Sequence, residues 1–482
     1  MNLKPYPEYK DSGVQWLGDV PKHWDILRAK HVFKTIDIRS KNGTEELLSV
    51  SGRLGVSPRK NVNVTMFKAE SYVGYKLCWS GDLVVNSLWA WMQGLGFSKH
   101  HGIISSAYGV YRLSKELSND FKFFDYLLRS NAYLWELRVN SKGIWRSRYQ
   151  LTDDSFFCIP IIIPESEDRK KISRFLDYKT TQIARFIKAK KQMIELLKEQ
   201  KQVIINDAVT GKIVIKDEGG RLKAEKRPDS SFIPHPSSFL QTVPEGWEVR
   251  PIKQIVFFNP SKSETGSSSK SSENVVFLPM ENVSVDGRIN CSIKRPYKDV
   301  CNGFSYFKKG DVVIAKITPC FENGKGAYLD ELETECGFGT TEFITIRPSS
   351  KIDGRLLRFI LSSNWFLKIG EKYMMGSAGQ KRISSDFIKN FQLGIPSLEE
   401  QAQIVSYIET KTAALDQAIS RTEREIALMQ EYRTRLISDV VTGKIDVQNI
   451  EIPDIANIDA TIDESIDEPE GEEELETAEA EE

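Results

Sequence analysis

Two short loops in this 482-residue sequence carry side chains suited to reading a nucleic acid. The first, SKGIWRSRYQ (residues 141–150), holds Trp145, Arg146, Arg148 and Gln150; the second, GSAGQKR (residues 376–382), holds Gln380, Lys381 and Arg382. A guanidinium can donate to guanine O6 and N7 together, and a glutamine amide can pair with adenine N6 and N7, whereas lysine mostly holds phosphate. A solvated turn with ordinary surface cations is the bland alternative. What favours function is recurrence, since each loop lies just before a long helical segment and Ile383 matches Leu151.

A second pair of segments, WAWMQGLGFSKHH (residues 89–101, with Lys99) and TPCFENGK (residues 318–325, with Lys325), sets aromatics and lysine on glycine-rich loops. That composition suits groove and backbone contact. Taken singly, Trp89 and Trp91 read at least as well as core residues.

Catalytic signatures are missing. Gly211-Lys212 and Gly443-Lys444 are each followed by Ile, with no glycine-rich phosphate cradle before them. Gly94-Leu95-Gly96 continues with Phe-Ser-Lys and opens no dinucleotide-binding unit. Asn259-Pro260-Ser261 is only faintly similar to the NPP[FY] element of amino-methyltransferases, lacking the second proline and the aromatic. Asp168-Arg169-Lys170 can be forced into a nuclease-like acid-x-Lys pattern, but acidic residues at a helix start already suit the macrodipole. His100-His101 has no matched carboxylate or cysteine. The six cysteines form no CxxC pair and the five histidines fall at no zinc spacing, so free thiols in a reducing cytoplasm are expected and no metal site. The chain is expected to be no enzyme and to bind no cofactor.

The formal net charge of −1 hides a segregation. Residues 451–482 contain 15 acidic residues and no Lys or Arg, which leaves 66 Lys and Arg against 52 Asp and Glu, about +14, over residues 1–450. A basic body suits a polyanionic partner, and an acidic tail nearly free of aromatics is expected to be disordered. No run approaches the ~18–20 apolar residues of a membrane span, and the start, MNLKPYPEYKDSGVQWLG, lacks the apolar run of a secretory signal.

The elements that must position the loops come twice. The 51-residue segment beginning IPESEDRKK at Ile163 aligns without a gap with the one beginning IPSLEEQAQ at Ile395. About a third of positions are identical, and both end in VTGKI. More loosely, VPKHWDI at Val20 matches VPEGWEV at Val243, SGDLVVN at Ser80 matches KGDVVIA at Lys309, and GIISSAYGVYRL at Gly102 matches GFGTTEFITIRP at Gly337. The spacing of Ile172, Leu176, Ile183, Ile187, Ile194, Leu197, Ile204 and Ala208 in one copy draws a narrow apolar seam. Ile404, Ile408, Leu415, Ile419, Ile426, Met429, Leu436 and Val440 draw it in the other, and such a seam is a coiled-coil pattern. Pro164 and Pro396 precede the runs and Gly211 and Gly443 stop them. Each would be a rod about 60 Å long, and the two are expected to pair with each other.

The remaining segments read as α/β (α+β) domains: short β-branched strands such as KGDVVIAKI and TTEFITIRP, and one amphipathic helix in each of FKFFDYLLRSNAYLWELR and GRLLRFILSSNWFLKIG. The expected order is a domain over 1–162, a helix over 163–214, a polar linker over 215–242, a second domain over 243–394, a second helix over 395–446 and the acidic tail over 447–482. SKSETGSSSKSS (residues 261–272) reads as a flexible loop.

Over residues 1–446 these motifs, in order and twice, resemble the specificity subunit of type I restriction-modification enzymes. The carriers are the [VI]P-x-x-W elements, the GD-[LV]-V strands, the G-I-I-S-x-A-Y-x-V-Y-R-L segment, the I-P…E-[DEQ] helix starts and the opening YKDSGVQWLGDVPKHW. Asp168-Arg169 departs from the more usual acid-Gln pair, which the second copy keeps as Glu400-Gln401. The resemblance implies two similar target-recognition domains, each reading one half of a bipartite, asymmetric double-stranded DNA site. It implies two long helices packed antiparallel as a coiled-coil spacer that also docks two modification (adenine-N6 methyltransferase) subunits. It further implies restriction subunits, with S-adenosylmethionine, ATP and magnesium used by those partners, in the cytoplasm. A DNA-free interaction scaffold, or a solo bipartite DNA-binding protein without partners, stays open on the residues alone.

Overall fold

Two uninterrupted 44-residue helices, Ser166–Val209 and Leu398–Val441, run where the seam pattern places them. Neither contains Gly or Pro, the residues least compatible with a helix interior. Glu167 and Asp168, and Glu399 and Glu400, sit in the first turns, where a carboxylate meets unpaired N–H groups. Gly211 (φ 70°) and Gly443 (φ 78°) follow the ends in the left-handed conformation that stops a helix. The computed structural model describes residues 3–52, 54–61, 71–144, 149–217, 219, 222–235, 239–240, 242–265, 273–377 and 379–453. Of the expected reading residues, Trp145, Arg146 and Arg148 lie outside these, as does nearly all of the acidic tail.

The chain divides into two compact units, Met1–Lys191 with Glu423–Glu482, and Gln192–Thr422, so each unit takes in part of both long helices. In the first unit, Ile172, Phe175 and Leu176 share one core with Leu436, Val440 and Val441, while Lys190 pairs with Glu425 at 2.7 Å. Within that unit the segments are therefore antiparallel. In the second, Ile205 and Ala208 share a core with Ile404 and Ile408, and Lys201 pairs with Asp416 at 2.6 Å, again antiparallel. Ile183, Ile187, Ile194 and Ile426 are buried, whereas Leu415 and Ile419 are half-exposed. Thr180 and its repeat equivalent Thr412 also occupy the buried stripe. Thr180 Oγ1 donates to the Leu176 carbonyl at 2.7 Å, which is how a hydroxyl is tolerated there.

Each unit is α+β. The first centres on an antiparallel sheet in the spatial order Phe33–Thr35, Gly109–Leu113, Asp82–Val85, Leu95–Phe97. The second repeats that order with Val256–Phe258, Phe343–Pro348, Val312–Ala315, Gly326–Tyr328. The GD-[LV]-V aspartates explain their place in the repeat. Asp82, buried, accepts two hydrogen bonds from Arg112 at 2.6 and 2.8 Å, and Asp311 accepts two from Arg347 at 2.6 and 2.9 Å. The second unit adds a sheet in the order Lys294–Pro296, Asn274–Leu278, Cys336–Gly339, Ser305–Lys308, whose central pair is parallel.

Three local expectations need correction. Each amphipathic segment is two helices rather than one: Phe121–Leu128 then Asn131–Asn140, and Gly354–Leu361 then Asn364–Glu371. The break falls at Ser130 and Ser363, whose hydroxyls bond back to the carbonyls of Leu127 and Ile360 at 2.7 Å each. The polar segment after the first long helix forms a hairpin, Ile213–Asp217 with Leu222–Lys226, and Phe232–Pro234 then pairs with Thr242–Pro244. The start of the serine-rich loop is a short 3-10 helix, Lys262–Thr265, anchored where Glu264 meets Arg347 Nη1 at 2.7 Å and Lys308 at 3.0 Å.

Candidate nucleic-acid interface

The VP-x-x-W elements are clamps. Trp24 Nε1 donates to Asp168 at 2.9 Å, and Trp247 Nε1 donates to Glu400 at 3.1 Å. Asp168 thus does what Glu400 does, at the equivalent start of its helix. It also receives His23 Nε2 at 2.9 Å and Gln448 Nε2 at 2.6 Å. The next residues differ by compensation. Arg169 donates to the Pro164 carbonyl and to Asp120 at 2.7 Å, while Gln401 donates to the Pro396 carbonyl at 3.1 Å and accepts from the Asp353 N–H at 2.8 Å. The Asp168-Arg169 departure is a different solution to one structural task, and nuclease chemistry is not needed to explain it.

On this frame each unit brings its two candidate segments together. In the first, the Leu151 N–H donates to the Ser87 carbonyl at 2.9 Å, which sets Tyr149 and Gln150 beside the tryptophan loop. Trp89 and Trp91 are half-buried and stacked at 6.0 Å and 14°, and Trp91 meets Tyr149 edge-on at 5.8 Å. In the second, the Ile383 N–H donates to the Lys316 carbonyl at 2.8 Å, the Thr318 N–H donates to the Lys381 carbonyl at 3.0 Å, and the Lys381 N–H donates to the Thr318 hydroxyl at 3.0 Å. Gln150 pairs by backbone with Lys142 as Arg382 does with Met375, so positions 150 and 382 are structural equivalents. Gln150, Gln380, Lys381 and Arg382 are exposed. Lys325 is half-buried and its carbonyl accepts from the Ala315 N–H at 2.9 Å, next to Lys316.

Lys99 is exposed but is not brought to this cluster, because it follows strand Leu95–Phe97 at the end away from Trp91. His101 is a structural residue: its ring stacks on Trp79 at 5.2 Å and Nδ1 meets the Cys78 carbonyl at 3.1 Å. Asn259 (φ 44°) spends its side-chain oxygen on the Thr345 N–H at 3.1 Å, a fold contact rather than a base pocket.

Two residues escaped the sequence reading. Lys316 joins the second cluster by backbone, and Glu342 lies between it and Arg382, accepting from Arg382 Nε at 3.0 Å and Nη2 at 2.9 Å. The Arg382 hydrogen bonds, then the positive charges of Lys316 and Arg382, hold the Glu342 carboxyl below the usual carboxylate range. Glu342 is a carboxylate among cations, and nothing in its local sequence marks it. Among the described residues no group of three or more His, Cys, Asp or Glu side chains could hold a metal ion, and no helix is long and apolar enough to cross a membrane.

Residues 244–426 match the family model described as the type I restriction modification DNA specificity domain. Two curated relatives from Escherichia coli are the EcoAI type I restriction enzyme specificity subunit, 33% identical over 281 residues, and the EcoEI one, 30% identical over 276. Each match takes in 53% of this chain and 45% of the relative, so the chain spans about half the length of the curated relatives it matches. A solved structure described as the structural basis underlying complex assembly and conformational transition of the type I R-M system aligns over 88% of this chain and 98% of that one. Its TM-score is 0.59 at 16% identity, a likeness of fold.

Proposed function

We propose, on the match of residues 244–426 to the type I restriction modification DNA specificity domain, that this chain is the DNA-reading subunit of a type I restriction-modification assembly. Each unit reads one half of a bipartite, asymmetric double-stranded DNA sequence. The observation that carries the reading is the same frame in both units presenting different side chains, Gln150 in one and Arg382 in the other, at equivalent exposed positions. A shared frame gives both units one way to meet a duplex, and different side chains give two half-sites.

The chain contributes recognition and scaffold and no catalysis. S-adenosylmethionine, ATP and magnesium belong to its partners: two modification subunits that methylate adenine N6 on an unstacked base, and restriction subunits that move and cut DNA, all in the cytoplasm. The paired long helices set the number of unread base pairs between half-sites and offer their outer faces to the modification subunits. Matched seven-residue insertions in both helices, which keep the heptad register, should lengthen the spacer and leave both half-sites unchanged. Mapping methylated adenines in host DNA tests this, and a change in which bases are read would sink the ruler. Loss of methylation at defined sites on deleting the gene tests the function itself.

A further inference from the structure

Glu342 is an anomaly on a face meant for a polyanion. Its charge repels phosphate, yet it sits beside Lys316 and Arg382. Arg382 is held in two ways: its backbone pairs on both sides, with Met375 and with Ile317, and its side chain is gripped by Glu342. Glu342 takes the Nε–Nη2 edge of the guanidinium, which points the Nη1–Nη2 end edge away from the carboxylate. An arginine so gripped loses the freedom to wander among phosphates and keeps one edge for a two-acceptor partner such as guanine O6 and N7.

The first unit supplies an internal control. Its equivalent of Arg382 is Gln150, and its equivalent of Glu342 is Ala107. Both carbonyls are engaged, though by different donors: the Lys316 backbone N–H donates to the Glu342 carbonyl at 2.9 Å, and the Ser87 side-chain hydroxyl donates to the Ala107 carbonyl at 2.9 Å. A carboxylate stands behind the position only where that position is arginine. A residue needed for the frame alone would recur in both units, and Ala107 shows that the frame closes without it.

We infer that Glu342 is a positioning residue for specificity, fixing Arg382 so that the second unit reads one guanine in its half-site. This rests on the DNA-reading function proposed above. Arg382 makes the base contact, and Glu342 touches no DNA.

The test uses the chain purified from its host with its associated subunits, offered a pool of randomised duplexes whose retained members are sequenced. The wild type should enrich a two-part motif. Glu342→Gln and Glu342→Ala should each lower the preference for guanine at one position of one half-site by about tenfold, a loss in keeping with a weakened bidentate contact. The rest of the motif and the salt dependence of binding should stay put, and Glu342→Asp should recover part of the preference. Arg382→Ala should lose the same single position. The other half-site reports on folding, since an unfolded second unit would erase a whole half-site rather than one base. An unchanged motif, or an equal loss across all sequences, would overturn the clamp and make Arg382 a phosphate contact. A wild type that enriches no motif would overturn the DNA-reading function itself, and the clamp with it.

Discussion

Gly443 lies so close to Pro21 that a Cβ on the glycine would stand 2.3 Å from Pro21 Cδ, and Gly211 stands in the same relation to Pro244, at 2.4 Å from its Cγ. The shared VTGKI sequence and the shared VP-x-x-W sequence are thus two halves of one joint. In each unit the VTGKI that ends one long helix closes on the VP-x-x-W whose tryptophan is held by the start of the other. The glycine carbonyl is used as well: Tyr9 donates to that of Gly443 at 3.0 Å, and Arg227 donates to that of Gly211 at 2.8 Å.

Gly443→Ala and Gly211→Ala should therefore each destabilise by about 2–5 kcal/mol. A left-handed alanine costs about 1–2 kcal/mol, and overpacking against a fixed proline ring adds about 1–3. Urea unfolding followed by hydrogen exchange should place the loss in the first unit for Gly443→Ala and in the second for Gly211→Ala. A loss below about 0.5 kcal/mol would show that the joint gives way easily.

Arg169 and Asp120 are both buried, 2.7 Å apart. Arg169→Gln copies the second unit's residue but strands the Asp120 carboxylate, so it should cost about 3–5 kcal/mol. Asp120→Asn added to Arg169→Gln should return part of that, a coupling readable in a double-mutant cycle. Strict additivity would mean the pair does not act as one.

Along the helices, apolar and charged contacts should part company. Ile194→Ala removes a buried seam residue and should cost about 2–5 kcal/mol. Lys201→Ala breaks the partly exposed pair with Asp416 and should cost at most about 1 kcal/mol, less at high salt. Thermal denaturation of the two variants at two salt concentrations distinguishes them.

Glu264 is the acid-sensitive latch of the second unit's serine-rich segment. Hydrogen bonds from Lys308 and Arg347 hold its carboxyl below the ordinary range. A depressed carboxyl pKa contributes stability that is present above the unfolded value and lost as pH falls through the folded one. Wild-type stability should thus fall on acidification below about pH 4–5, the ordinary glutamate range. Glu264→Gln should start less stable at pH 7 and fall less steeply. Parallel pH curves for the two would refute the latch.

Residues 454–482 carry 14 acidic side chains and no Lys or Arg. Truncation after Pro453 should raise affinity for non-specific duplex several-fold at about 50 mM salt, with the difference shrinking by about 200 mM as screening rises. Equal affinity with and without the tail would leave it only a solvating role.

Much of this was legible in the chain. The two long helices follow from a local rule, apolar residues every three or four positions with no Gly or Pro, and local rules survive without tertiary information. The duplication and the placing of loops 141–150 and 376–382 before each helix were equally open to reading. The stripe itself was read with gaps, because Thr180 and Thr412 are polar in composition yet buried, Thr180 by turning its hydroxyl back to the Leu176 carbonyl of its own helix. The serine breaks in the amphipathic segments were missed for the same reason: a hydroxyl turned to its own backbone looks like any surface serine.

The sequence by itself determined the repeat, the helices, the charge segregation and the absence of a recognisable catalytic motif, because periodicity, composition and motif spacing are carried by neighbours along the chain. Only the tertiary structure decided that Asp168 stands in for Glu400, that VTGKI closes on the other repeat's VP-x-x-W, and that Glu342 grips Arg382. Those pairs are separated by tens to hundreds of residues in the chain. Each is fixed by which side chains and backbone the fold brings into contact, and no local pattern encodes that contact.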